Sequence, residues 1–161
     1  MVFPNTFPGK HGDLSGPTSI IRLRGFNDVG TGTHVVRYST VIESVGIDIT
    51  YTDNAVDDGA TFTINVAGKY AVFGSTRSLV GEVTGITKNA SGADLTGTFD
   101  EFLTNKPNDV LALTSIGGTG PVAMFSYFGP LLAGTVLRIQ TQFVGSDPAP
   151  GYTYLTLVHI S

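Results

Sequence analysis

The sequence predicts an all-β fold, a sandwich or barrel of many short strands, on three observations. Glycine is frequent, at 21 of 161 residues, and charged residues make up only 14%, against about 25% in ordinary globular chains. Short runs of β-branched and aromatic residues follow one another, separated by turns of Gly, Asp, Asn or Pro. Helical patterning is nearly absent: only Leu95 to Asn105 has room for a helical turn, and Pro107 stops it.

The elements follow in order. Residues 1–18 form an extended arm with two aromatic-proline units, Val2-Phe3-Pro4 and Thr6-Phe7-Pro8, because proline fixes φ and removes a donor. Phe3 and Phe7 sit on a segment too short for its own core. They dock on this domain, on a neighbouring subunit or on a partner, or the arm is an ordinary frayed terminus. The single domain then runs over 19–161, a length that buries a core without disulfides or metals.

Ile20 to Arg24 is a first strand, followed by a turn-rich stretch over 25–32. Val35 to Glu43 alternates Val36, Tyr38, Thr40 and Ile42 against Arg37, Ser39 and Glu43. Ile47 to Tyr51 is a third strand, ended by the polar turn at 53–59. Thr61 to Val66 has a clean period of two, with Phe62, Ile64 and Val66 inward. Ala67-Gly68-Lys69 turns the chain into Tyr70 to Gly74. Further strands are expected at Gly81–Thr87, Val110–Ile116, Val122–Phe128, Thr135–Phe143 and Tyr152–Ile160. No internal repeat of solenoid or propeller type is present.

Thr135 to Phe143 alternates in the ordinary way, with Leu137, Ile139 and Phe143 against Arg138, Gln140 and Gln142. Three strands do not: Tyr70–Phe73, Val122–Phe128 and Tyr152–Ile160 are apolar on both faces. A sandwich strand shows one face to water, so these need a second cover. Helices are too few to supply it, which leaves another copy of the chain. The expected subunit interface takes in Tyr70, Phe73, Phe125, Tyr127, Phe128, Tyr152, Tyr154 and Leu157.

Composition excludes several classes. With no cysteine there are no disulfides, thiolate metal sites or cysteine nucleophiles. A net charge of −4 and no basic run argue against nucleic acid as the main partner, although Lys10, Arg22, Arg24 and Arg37 give the N-terminal part a mild positive bias. No apolar stretch approaches the roughly 18 to 20 residues of a membrane span. The opening residues lack the pattern of a signal peptide, so a complete, non-secreted product is expected.

No constellation for catalysis is found. The three histidines, His11, His34 and His159, have no serine in a nucleophile-elbow context. Asp53, Asp57 and Asp58 do not follow the spacing of an EF-hand loop and read as a solvated turn. Gly117 to Gly120 lacks the Lys-Ser/Thr of a phosphate loop. Asp100 and Glu101 are neighbours with nothing to fix the separation a glycosidase needs. No enzyme activity, cofactor or metal is expected, and tryptophan is absent for sugar stacking.

From about residue 35 onward the chain resembles the trimeric jelly-roll superfamily of complement globular heads and tumour-necrosis-factor-like domains. Gly59 to Ser75, GATFTINVAGKYAVFGS, carries the resemblance, with weaker support from Leu132 to Arg138 and from Tyr154 to Val158. Thr135 stands where the family usually has Asp, and the arm has no collagen-like repeat or heptad shaft. Val35 to Asn54 followed by FTINVAGKY, Phe62 to Tyr70, also looks like domains of phage structural proteins. The resemblance implies a jelly-roll β-sandwich with an extended N-terminal arm, assembled as a homotrimer.

For function it implies a bacteriophage capsid decoration, or cement, protein on the virion surface, made in the host cytoplasm. Its partners would be itself and the major capsid protein. The capsid-binding arm would act through Phe3, Pro4, Phe7, Pro8 and Lys10. The alternative is a trimeric tail-fibre or receptor-binding knob that recognises a host glycan or protein.

Overall fold

The computed structural model describes residues 18–29, 33–54, 59–77, 83–91, 93–97, 99–115, 122–142 and 152–160. Ten strands lie among the described residues: β1 Ser19–Val29, β2 Val36–Val45, β3 Ile49–Asn54, β4 Gly59–Ile64, β5 Gly68–Arg77, β6 Val83–Lys88, β7 Val110–Ser115, β8 Val122–Leu131, β9 Val136–Thr141 and β10 Tyr154–Ile160. Between β6 and β7 lie two short helices, α1 Ala93–Thr96 and α2 Phe99–Asn105, and the 3-10 turn Pro107–Asp109. The helical turn expected over 95–105 is therefore present, and Pro107 does end it.

The strands form two five-stranded sheets, in the orders β2-β1-β10-β5-β8 and β3-β4-β9-β6-β7. Every pairing among the described residues is antiparallel. From β4 onward the chain crosses repeatedly from one sheet to the other, which is the jelly-roll path. Between the sheets lies the core, with Ile21, Leu23, Tyr38, Phe62, Ile64, Tyr70, Val72, Ile86, Phe125, Leu137, Ile139, Leu155 and Leu157 all buried. Phe62 and Ile64 point inward as the alternation predicts; Val66 falls beyond β4 and is exposed.

The reading of β9 needs correction. Leu137 and Ile139 are in the core, but Arg138 and Gln140, expected to face water, are buried as well. The insert between β6 and β7 covers them. Arg138 Nη1 donates to Ala90 O at 2.6 Å, and Gln140 Nε2 donates to Asp94 O at 2.9 Å. Val35, Ala90, Leu95 and Phe102 close a second small core. Gly85 permits this cover, because a Cβ there would run into the Phe99 ring and Ala112 O.

Gly46, in the β2–β3 turn, has φ +80 and its missing side chain faces Ser19 and Thr18. A residue with a Cβ would meet both a left-handed backbone and a blocked space. That close approach locks the turn onto the start of β1.

Candidate functional site

The three strands whose sequences are apolar on both faces, β10, β5 and β8, are hydrogen-bonded neighbours in one sheet. One face of each lines the core. On the other face the register aligns a single row across all five strands: Val45, Ile20, Val158, Ala71 and Phe128. Alternate rows of the β10-β5-β8 half add Phe73, Tyr154 and Met124 to the same side. Met124 and Phe128 are each 66% exposed, and Phe73 and Tyr154 are exposed too.

Between these side chains lies a depression of about 270 Å³, lined by Phe73, Gly74, Met124, Phe125, Ser126 and Tyr154. The β1–β2 half of the face is more polar, with Arg22 paired to Glu43 at 3.5 Å. The arrangement holds no convergent set of polar groups for chemistry. It is an apolar surface with a hollow.

Of the eight residues expected at a subunit interface, Phe73, Phe128 and Tyr154 are on this face. Tyr152 is exposed just ahead of β10. Tyr70, Phe125 and Leu157 are corrected: they point between the sheets and belong to the core. Tyr127 is half-buried against that core and donates its hydroxyl proton to Pro130 O at 2.9 Å. Met124, Val158 and Ile20 share this face, and each alternates with a residue that faces the core. The arm residues Phe3, Pro4, Phe7, Pro8 and Lys10 lie outside the described residues, as do His11, Asp57, Asp58 and Gly117–Gly120.

The remaining acids and histidines have structural partners. Asp53 accepts two hydrogen bonds from Arg37, at 2.8 and 2.9 Å. Asp100 and Glu101 lie in the first turn of α2, both exposed, where negative charge suits the helix dipole. His34 Nδ1 lies 3.1 Å from Thr141 O.

His159 is the one histidine with a carboxylate beside it among the described residues. Its Nδ1 lies 2.8 Å from Asp48 Oδ2 and 2.8 Å from Thr18 Oγ1, and its ring stacks on Tyr70 with centroids 4.5 Å apart. A catalytic triad needs the hydroxyl on one ring nitrogen and the acid on the other. Here both sit at Nδ1, while Nε2 faces Gly68, where even a Cβ has no room. The group is a clamp tying the start of β1, the β2–β3 turn, β5 and β10 together.

Hydrogen bonds from His159, and then from Thr18, hold the Asp48 carboxyl below its usual range, against an opposing effect of burial. A depressed carboxylate stabilises the fold above its unfolded-state pKa, about 3.9, and that stability is lost as pH falls through the folded value. Denaturation midpoints of wild type and Asp48→Asn are therefore expected to differ at neutral pH and to converge only below about pH 4. A gap that closes already between pH 7 and 5 would assign the dependence to another group.

Solved structures share this architecture. The chain is similar to murine APRIL at pH 8.0, with 12% identity, 88% of this chain and 98% of that chain covered, and a TM-score of 0.54. It is similar to rabbit GITRL, with 9% identity, 89% and 94% covered, and a TM-score of 0.52. For pika GITRL the figures are 10%, 91%, 98% and 0.52. No protein-family model matches the sequence, and no curated protein matches it. The jelly-roll sandwich implied by Gly59 to Ser75 is the fold, and these solved structures share it.

Proposed function

We propose that this chain is the subunit of a homotrimeric binding module without catalytic activity, acting as a decoration protein on a bacteriophage capsid. The observation that carries the assembly is the outer face of the β2-β1-β10-β5-β8 sheet. It presents an unbroken apolar row, flanked by Phe73, Met124 and Tyr154. Isolated soluble domains rarely leave so continuous an apolar surface in water. A second copy brings side chains of matching chemistry, and the hollow beside Phe73 gives them a place to seat. The resemblance to trimeric jelly rolls favours three copies around an axis over two.

The capsid role draws on the likeness of Val35 to Asn54 and Phe62 to Tyr70 to phage structural domains, and on the arm. An arm with Phe3-Pro4 and Phe7-Pro8 costs little entropy to order and is apolar enough to anchor. Light scattering is expected to give three times the 16.9 kDa protomer mass; a monodisperse monomer would remove the basis for an assembly. Quantitative mass spectrometry of purified particles, against the major capsid protein, is expected to count hundreds of copies. A handful per particle would favour the tail-fibre or receptor-binding knob instead.

A further inference from the structure

One end of the sandwich carries an apolar surface that adjoins the outer sheet face at Val45 and extends beyond it onto the turns. Here the β2–β3, β4–β5 and β8–β9 turns meet. Asn65 N donates to Asp48 O at 2.8 Å, and Asn65 Nδ2 donates to Ile47 O at 2.6 Å. Gly134 N donates to Ile64 O at 2.8 Å, which joins the third turn to the other two. At the tips stand Ile47, 83% exposed, Leu132, 75% exposed, and Val66, with Val45 and Ile160 exposed at the adjoining strand ends. None of these is needed to fill the core.

We infer that this end, led by Ile47, Val66 and Leu132, is the surface that the protein sets against its partner, an apolar and uncharged protein surface. The inference rests on the decoration reading above, and two observations point to this end. Residues 1–17 join the domain at Thr18, which the His159–Asp48 clamp pins here. An arm that grips the shell brings this end down onto it. The surface is also nearly free of charge. The charged side chains described at this end are Asp48, engaged by His159, and Lys69, opposite Ile160. Contact made through aliphatic side chains is insensitive to salt, unlike contact between exposed charges.

The test uses the full chain and purified shells stripped of it, in co-sedimentation at low and high salt. Wild type is expected to bind equally at both. The double substitution Ile47→Ser with Leu132→Ser is expected to keep the wild-type mass by light scattering and to bind at least about tenfold more weakly, the loss one buried aliphatic side chain produces. Leu113→Ser, an exposed residue on β7 away from this end, is the control and should bind like wild type. A double variant that binds as well as wild type overturns the inference and leaves the decoration reading standing. Wild type that ignores the shells overturns that reading itself. Wild type that instead floats with neutral phosphatidylcholine vesicles, while the double variant does not, replaces the protein partner with a lipid surface and overturns the inference.

Discussion

Phe128→Asp is expected to convert the proposed trimer into folded monomers of 16.9 kDa. Phe128 is 66% exposed in the single chain and stands opposite Ala71, at the β8 end of the apolar row. The substitution therefore removes no core contact, and an isolated exposed change of this kind alters monomer stability by only about 0.5 kcal/mol. In the assembly the effect is of another order. In the proposed trimer symmetry repeats each change at every interface, so one substitution would introduce three carboxylates into an apolar seam. Burying an unpaired charge costs several kcal/mol, and each subunit meets that cost.

Light scattering should show the protomer mass, and circular dichroism should retain the β-sheet spectrum. Phe128→Leu should remain assembled, because it keeps an apolar side chain in place. An aspartate variant that stays assembled would mean that the subunits meet elsewhere.

Strand identity was legible in the sequence, because alternation and turn residues are local signals. The two-faced apolar pattern was legible too, and the three strands that carry it proved to be neighbours in one sheet. Which face is covered by what was not legible. On a strand apolar both ways, the period of two separates the faces without saying which lines the core. Tyr70 and Phe73 are three residues apart and must point oppositely, so both could not serve one interface. The same parity separates Phe125 from Phe128 and Leu157 from Tyr154.

β9 failed for the converse reason. Arg138 and Gln140 have the polarity of solvent-facing residues, and nothing local reveals that the insert near Ala90 and Asp94 folds back over them. Burial there is a long-range property, satisfied by carbonyls more than forty residues away in sequence. The end surface was missed because Ile47 and Val66 were counted as strand residues, whereas both fall in turns.

Phe62→Ala is the substitution expected to weaken the fold most. Phe62 is 1% exposed at the centre of the core. It stacks on Tyr51 with centroids 5.4 Å apart and meets Tyr38 edge-on at 6.4 Å. Its strand pairs with both neighbours at this position, to Tyr51 on β3 and Leu137 on β9, so the backbone cannot collapse inward to fill the space. Truncation then costs the transfer of the ring plus the cavity it leaves, about 3–5 kcal/mol. That is a large share of the roughly 5–15 kcal/mol that holds a domain together.

Phe62→Leu should cost much less, because it keeps most of the volume. The comparison belongs in the Phe128→Asp background, since stability measured on an assembly also contains subunit association and shifts with protomer concentration. In that background the denaturant midpoint of Phe62→Ala should fall sharply with the slope unchanged. A fall that occurs only in the assembled protein would place Phe62 at the subunit contact rather than between the two sheets.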